Sequence, residues 1–221
     1  MTPLAVTALV VAKAPVAGLA KTRLAAAVGD AAAADIAAAA LLDTLDAVAA
    51  APFSARVVAL TGDLALAARS DEIRSRLEDF IVIGQRGTDF AHRLAHAHTD
   101  AAAAGGDQPV LQIGMDTPQL TAEMLADCAG KLSPGIAVLG PARDGGWWSL
   151  GVCDPALAGF LTEVPMSHPD TGALTAAALA RAGAQVVLAQ ELADVDTIDD
   201  VPGVRAACRP SSRFALATEG I

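Results

Sequence analysis

Short apolar segments alternate with helix-like segments along this chain, and that alternation restricts its possible folds more than any other feature. Apolar runs at residues 4–12, 56–61, 80–83, 110–113, 136–139, 147–152 and 185–188 are predicted to be strands. The segments at residues 30–51, 64–77, 89–104, 121–132, 171–182 and 199–207 are predicted to be helices. This order is typical of a mostly parallel sheet with helices on both faces. We expect an α/β protein, a three-layer α/β/α sandwich. Its strand at 147–152 is expected to be antiparallel or edge-like, because only a glycine turn precedes it.

The length and composition fit one domain. With 221 residues, of which 53% are hydrophobic, the chain is long enough for one sizeable core. No linker divides it, so we expect a single domain over residues 1–208. The segment 209–221 carries Pro, Ser and Gly and is predicted to be a flexible tail. The run 31–51 is apolar, but aspartates interrupt it, so we expect a helix of a soluble protein and no membrane span.

The charge and the cysteines narrow the possible partners and the location. The formal net charge is −10, from 15 basic and 25 acidic residues, which argues against a nucleic acid or an anionic membrane surface as partner. It does not exclude a phosphorylated small molecule, since a few local cations suffice to bind one. Cys128, Cys153 and Cys208 form no C-x-x-C pair and are expected to be free thiols in a reducing cytoplasm. The first apolar run has no basic segment before it and is predicted to be a strand, not a signal peptide.

The segment 110–120, VLQIGMDTPQL, places a carboxylate directly after a buried strand. The apolar run breaks at Gly114, and Asp116 follows. In an open α/β sheet, ligands bind at the carboxyl ends of the strands. Asp116 could instead cap the next helix, but Thr117 and Thr121 are equally able to do so. We therefore interpret Asp116 as a metal or substrate group.

Three cations follow the first strand, in the segment 13–24, KAPVAGLAKTRL. Lys13, Lys21 and Arg23 surround Gly18 in a loop that leads towards a helix. Such a loop can bind a polyphosphate through side chains and backbone N–H groups, although three cations in a loop can also simply be solvated. The segment matches neither G-x-x-x-x-G-K-[ST] nor G-x-G-x-x-G.

Three later segments carry further polar groups. In 140–148, GPARDGGWW, the paired glycines allow the backbone to approach a ligand, and one of the two adjacent tryptophans could stack on a sugar or base while the other is core. In 194–200, DVDTIDD, four aspartates either begin a helix or include one that joins Asp116 on a divalent cation. His92 and His96 share a helix face, but H-x-x-x-H without the glutamate of H-E-x-x-H is a weak zinc signal. His168, in a loop before a helix, is the better candidate for contact with an acceptor.

Taken in order, four segments of the chain resemble one family: 12–24, AKAPVAGLAKTRL; 113–118, IGMDTP; 140–152, GPARDGGWWSLGV; and 194–200, DVDTIDD. They look like the bacterial glycosyltransferase-like family of the arsenosugar-biosynthesis type. They are more distantly similar to the molybdopterin and deazaflavin-cofactor guanylyltransferases. The resemblance extends to about residue 204 and implies the GT-A fold, which is that of the nucleotide-diphospho-sugar transferases.

Together with the patterns above, the resemblance implies a role for each matching position. Asp116 and Asp196 match metal-binding positions, which implies Mg²⁺ or Mn²⁺ as cofactor. The implied nucleotide- and phosphate-binding residues are Lys13, Gly18, Lys21, Arg23, Gln85, Gly87 and Arg93. The implied acceptor-side residues are Asp144, Gly145, Gly146, Trp148 and His168. The implied catalytic residues are Asp116, Asp144 and Lys21. The segment 165–171, PMSHPDT, departs from the tryptophan-glycine-threonine run usual in the family.

The sequence therefore predicts a metal-dependent transferase that uses an activated nucleotide donor, with nucleotide-sugar glycosyl transfer as the first candidate. One alternative is a guanylyltransferase-like nucleotidyltransferase that releases pyrophosphate, and another is a non-catalytic nucleotide-binding protein. The expected partners are a nucleotide sugar or nucleoside triphosphate and a small-molecule acceptor. A monomer and a homodimer both stay open.

Overall fold

The computed structural model describes residues 3–221. Its strands are β1 Leu4–Lys13, β2 Phe53–Thr61, β3 Ile81–Gly84, β4 Val110–Gly114, β5 Ile136–Pro141, β6 Trp147–Val152 and β7 Gln185–Leu188. Its α-helices are α1 Thr22–Val28, α2 Asp30–Ala50, α3 Ser70–Leu77, α4 Phe90–Gly105, α5 Ala122–Gly130, α6 Thr171–Arg181, α7 Asp200–Ala207 and α8 Arg213–Ala217. Two 3-10 helices span Leu64–Leu66 and Pro155–Glu163.

The strands form one sheet in the order β3-β2-β1-β4-β6-β5-β7. Every neighbouring pair is parallel except the two pairs that contain β6, which runs antiparallel to both β4 and β5. The mostly parallel sheet confirms the predicted fold. β6 is antiparallel as expected, but it lies inside the sheet and not at an edge. The reason is that β6 follows a short turn after β5 and pairs with both β5 and β4, so it lies between them.

Helices cover both faces of the sheet and give the predicted three layers. Successive side chains of a strand point to opposite faces, so β1 contributes to two separate clusters. Val10 packs in a cluster that includes Leu41 of α2 and residues of α3 and α5. Leu9 packs in the opposite cluster, with Leu94 of α4 and residues of α6. Because both faces of β1 are buried, its sequence is a continuous apolar run.

Residues 64–77 do not form the single helix that their sequence predicts. A break separates the 3-10 turn from α3, and there Ala67 forms a bridge with Val16 in the loop after β1. Arg69 adopts a left-handed conformation, with φ 50°, and its guanidinium pairs with Asp35 of α2 at 2.7 Å. These tertiary contacts outweigh the local helical propensity. The short helix α1 likewise has no counterpart among the predicted helices.

The carboxyl-terminal segment is not the flexible tail that its composition predicts. Residues 213–217 form α8, and the ring of Phe214 is fully buried among α1, α2 and α7. The carboxylate of Asp43 in α2 accepts hydrogen bonds from the amides of Arg213, at 3.0 Å, and Phe214, at 2.8 Å. A buried aromatic anchor and a paired carboxylate therefore fix this end of the chain.

A single domain over residues 1–208 stays a prediction, and its first two residues lie outside the described part of the chain. Across residues 3–221, none of the helices combines the length and the apolar character needed to cross a membrane.

Candidate functional site

The carboxyl ends of the six parallel strands meet at one edge of the sheet, and β6 begins at that edge. The loops after β1, β3, β4, β5 and β7 therefore converge there, and they carry most of the residues that the sequence singles out. The chain order reverses direction between β1 and β4, which is where open α/β sheets bind ligands. The candidate site lies at this edge.

Lys21 and Asp116 form the closest link between two of these loops. The Lys21 ammonium donates to Asp116 Oδ2 at 2.6 Å, although the residues are 95 positions apart in sequence. Burial alone would lower the pKa of Lys21, but the carboxylates of Asp116, Asp196 and Asp194 outweigh it and raise that pKa above its ordinary value. Lys21 is therefore a charged ammonium in the middle of an acidic cluster.

Arg23 makes a second link of the same kind. Its guanidinium donates to Asp196 Oδ2 at 2.5 Å, while most of the Arg23 side chain is exposed. Lys13, at the end of β1, points its ammonium back to the carbonyl oxygen of Leu19 at 2.8 Å, within the same loop. Two of the three predicted phosphate-binding cations thus contact the two predicted metal-binding aspartates.

Asp194 also belongs to this cluster, although it is not among the predicted site residues. Its segment is tied to both neighbouring loops: the Val195 amide donates to the carbonyl oxygen of Asp116 at 3.3 Å, and the Arg143 amide donates to that of Leu192 at 3.0 Å. Burial, followed by the Asp116 and Asp144 carboxylates, raises the pKa of Asp194 to about 6. One feature of the sequence could have indicated Asp194 as a site residue. It lies before the residues that could cap the next helix, so capping does not account for its carboxylate.

The loop between β5 and β6 brings Asp144, Gly145 and Gly146 to the same edge. Asp144 is exposed, and its Oδ1 accepts a hydrogen bond from the Gly146 amide at 2.7 Å. Gly145 has φ +88°, and a Cβ there would lie 1.8 Å from the carbonyl oxygen of Pro169. The two glycines thus allow the turn to lie directly against the segment before α6.

Trp148 does not line the site, which corrects the expectation that it stacks on an acceptor. The ring is only 3% exposed and lies against Gly140, and its Nε1 donates to the carbonyl oxygen of Gln190 at 2.9 Å. Trp147 is also held by packing and donates to Thr175 Oγ1 of α6 at 3.2 Å. Both rings are therefore structural, and neither indole nitrogen is free for a ligand.

Gln85, Gly87 and Arg93 are engaged within their own part of the fold. The Gln85 side-chain amide donates to the carbonyl oxygens of Ala12 and Ala59, at 2.8 and 2.9 Å, so it braces the ends of β1 and β2 instead of extending into the site. Gly87 packs on the first turn of α4, and the Arg93 guanidinium lies 5.8 Å from the ring centre of Phe90. None of the three contacts the acidic cluster.

Gly18 and His168 lie at the periphery of the site. Gly18 has φ +76° and faces the Asp30 carboxylate at the start of α2, which shapes the turn of the cation-bearing loop. His168 Nδ1 accepts a hydrogen bond from the Asp170 amide at 3.3 Å, and its ring is more than half exposed. Through Pro169 this segment touches Gly145, so His168 borders the acceptor-side loop.

The donor set of the cluster fits a hard divalent cation. Asp116, Asp144, Asp194 and Asp196 bring four carboxylates together, against the two positive charges of Lys21 and Arg23. The two uncompensated negative charges would be offset by one Mg²⁺ or Mn²⁺, which needs one or two carboxylates besides substrate phosphate oxygens. Within residues 3–221, no group of three or more His, Cys, Asp or Glu side chains is placed so that it could hold a metal ion, so oxygens of the substrate phosphates would have to complete the coordination.

Comparison with protein families finds one match, over residues 44–168, which is more than half of the chain. The matching family is described as "Uncharacterized protein conserved in bacteria (DUF2064)". The chain belongs to this family. Comparison with the curated proteins gives no match.

Solved structures place the DUF2064 chain among transferases of the predicted fold. A "putative nucleotide-diphospho-sugar transferase" from Desulfovibrio desulfuricans G20 is 25% identical, with a TM-score of 0.84 over 99% of this chain and 95% of that one. A nucleotidyl transferase from Methanothermobacter thermautotrophicus is 15% identical, with a TM-score of 0.58 over 91% and 96%. The Rv0371c protein of Mycobacterium tuberculosis H37Rv, in complex with manganese, is 18% identical, with a TM-score of 0.54 over 90% and 97%. The predicted resemblance to bacterial transferases of the GT-A fold is confirmed.

Proposed function

We propose that this DUF2064 chain is a metal-dependent transferase that uses a nucleotide sugar as donor. The observation that carries the proposal is the pairing of Lys21 with Asp116 and of Arg23 with Asp196. Cations suited to phosphates and carboxylates suited to Mg²⁺ or Mn²⁺ are the two groups that a metal-bound diphosphate requires. The likeness to the Desulfovibrio protein supports a nucleotide-diphospho-sugar as the donor class.

In the proposed reaction, the bond between the anomeric carbon and the diphosphate oxygen breaks, and the acceptor oxygen bonds to that carbon. The leaving nucleoside diphosphate keeps the electron pair, and Lys21 and Arg23 stabilise the charge that develops on it. Asp116 and Asp196, with Asp194 beside them, would hold the divalent cation, which supplies further charge stabilisation on the diphosphate. Asp144, across the cluster, orients the acceptor hydroxyl and takes its proton.

The proposal includes the setting of the reaction. The described chain has three free cysteines, and burial raises the pKa values of Cys128 and Cys208 to about 11, so these thiols are unreactive. Unreactive free thiols support a cytoplasmic location, and a small-molecule acceptor completes the proposal. We also propose a single domain, which includes α8 because Phe214 packs in its core.

A thermal-shift panel tests the donor. Nucleotide sugars and nucleoside triphosphates are each added with and without Mg²⁺ or Mn²⁺. A ligand that binds the native state at a hundredfold excess over its Kd stabilises it by about 2.7 kcal/mol. A metal-dependent shift with a nucleotide sugar supports glycosyl transfer. A shift with triphosphates alone indicates nucleotidyl transfer, and no shift with any donor overturns the proposal.

The Asp116→Asn variant tests the metal site directly. It should abolish metal-dependent turnover and the metal-dependent part of the thermal shift, while the fold measured by circular dichroism is kept. The matched control is Asp127→Asn, which also loses a carboxylate that pairs with a lysine, but on the surface of α5. Turnover that survives in Asp116→Asn would show that the metal assignment is wrong.

A further inference from the structure

The backbone of Lys21 is unusual for a residue with a long side chain. Its φ and ψ are 48° and 50°, in the left-handed region, where residues other than glycine, asparagine and aspartate are uncommon. The residue stands directly before α1 and its side chain does not cap the helix. The Lys21 carbonyl oxygen accepts from the Ala25 amide at 2.8 Å, whereas the side chain reaches across to the loop after β4.

The Lys21–Asp116 contact is sheltered from water. The side chains are 14% and 29% exposed, compared with 72% for Arg23 in its pair with Asp196. A sheltered ammonium requires a close anion, since an unpaired charge in such a place is strongly unfavourable. Lys21 thus neutralises Asp116 at the position where the proposed cation would have to bind.

A divalent cation and the Lys21 ammonium compete for Asp116 Oδ2. Metal–oxygen distances for Mg²⁺ are about 2.0–2.1 Å, and the Lys21 Nζ already lies 2.6 Å from Asp116 Oδ2. Two positive centres on one carboxylate oxygen would repel each other strongly. The cation therefore binds this oxygen more strongly when Lys21 moves away, and the sheltered Lys21 ammonium moves at least cost when another anion receives it.

We propose that Lys21 is a specificity-determining residue that makes the site select the metal–nucleotide complex over the free metal ion. The phosphates of the complex accept the Lys21 ammonium, which releases Asp116 to the cation. A free cation brings no such anion and must compete with the ion pair. This inference rests on the proposed function, since it takes Asp116 as a metal ligand, and it adds that metal and nucleotide bind in a coupled manner.

Binding of Mn²⁺ alone, measured by electron paramagnetic resonance of the free ion, tests the proposal without any turnover. An ion pair formed about 90% of the time weakens apparent Mn²⁺ binding about tenfold. Lys21→Met should therefore bind Mn²⁺ about tenfold more tightly than the wild type. The same variant should bind the complexes of Mn²⁺ with ADP, GDP, UDP or CDP more weakly, because the phosphates lose their ammonium partner.

The matched control is Lys131→Met, which removes another lysine that pairs with an aspartate, Asp127, far from the site. It should change neither measurement. The double variant Lys21→Met with Asp116→Asn should lose the gain in Mn²⁺ binding. Lys21→Gln is measured in parallel, so that the conclusion does not depend on whether the methionine variant folds, and it should show the same two opposite changes.

The outcomes separate this inference from the proposed function. If Asp116→Asn abolishes Mn²⁺ binding but neither Lys21 variant binds Mn²⁺ more tightly than the wild type, the metal site stands and the role of Lys21 is wrong. If wild type and variants bind no Mn²⁺ with or without the nucleotides, the proposed function fails as well. Tighter Mn²⁺ binding with weaker nucleotide binding supports both.

Discussion

The amide of Gly172 donates to the carbonyl oxygen of Gly145 at 2.8 Å, which joins the first turn of α6 to the turn between β5 and β6. A Cβ on Gly172 would lie 2.6 Å from the carbonyl oxygen of Gly146 and 3.0 Å from that of Gly145. Backbone therefore lies directly on backbone at this point. The contact fixes the position of Asp144 relative to α6.

Gly172→Ala should displace this turn, because backbone atoms cannot yield as the end of a flexible side chain can. We expect stability to fall by about 1–3 kcal/mol, as for other overpacked sites. Under the proposed function, the KM for the acceptor should rise while the thermal shift with donor and metal is kept. Gly130→Ala is the control, since a Cβ on that helical glycine meets nothing within 4 Å and should not destabilise the protein. Equal effects of the two substitutions would contradict the assigned contact.

Asp194→Asn should stabilise the protein at neutral pH and not at pH 4. Burial and the Asp116 and Asp144 carboxylates raise the pKa of Asp194 to about 6 in the folded state, above its ordinary value of 3.8. The folded state therefore binds more protons between these values, so the wild type loses stability as pH rises from about 4 to 6. The gain of the variant in urea denaturation should grow over this interval. Glu191→Gln is the matched control, since it removes an exposed carboxylate three positions away in sequence.

His98→Gln should remove an acid-sensitive contribution to stability. His98 is fully buried on α4, and burial lowers its pKa from 6.5 to about 4, with the Gln112 side chain opposing the change. The unfolded state then binds more protons between these values, so the wild type loses stability as pH falls from 6.5 to 4, by about 3 kcal/mol. The difference between wild type and variant in urea denaturation should change by that amount across the interval. His96→Gln, on the same helix but partly exposed, is the matched control for the loss of a histidine side chain.

Phe214→Ala should show that the carboxyl-terminal segment is part of the core. The ring is fully buried in a cluster with Leu24 and Ile36, so its removal leaves a cavity and should cost about 3–5 kcal/mol of unfolding free energy. Leu216→Ala, at a side chain that is 59% exposed in the same helix, should cost little. A loss below about 1 kcal/mol for Phe214→Ala would mean that α8 is not docked in solution, since core truncations cost more than this.

The strands and their mostly parallel arrangement could be predicted from the sequence because buried strands leave continuous apolar runs. The same pattern predicts that the loops converge at the carboxyl ends of the parallel strands. This convergence brings together Lys21, Arg23, Asp116 and Asp196, as expected. What the pattern could not show were features that depend on distant contacts. The break at Ala67 and the docking of α8 both arise from partners that are remote in sequence.

The site residues show the same limit. Alternation along β6 predicts that its two tryptophans point to opposite faces, but no local pattern reveals that both faces are covered there, so that Trp148 is buried and Trp147 packs against α6. Gln85 is a polar residue in a loop, and only the structure shows that its side-chain amide donates to the carbonyl oxygens of Ala12 and Ala59. Asp194 enters the cluster because Val195 is hydrogen-bonded to Asp116, which is a contact between loops.

Because β6 is antiparallel, the edge of the sheet that carries the site has two parts, whose loops are held in place by different contacts. The loops after β1 and β4 each lead into a helix that returns across the sheet, so a change in their length would displace a covering layer. The turn at Asp144 leads into no helix, and its position depends instead on the packing of Gly145 and Gly146 against the start of α6. The half of the site assigned to the donor is therefore held by the covering helices that follow its loops, whereas the half assigned to the acceptor can change only together with the start of α6.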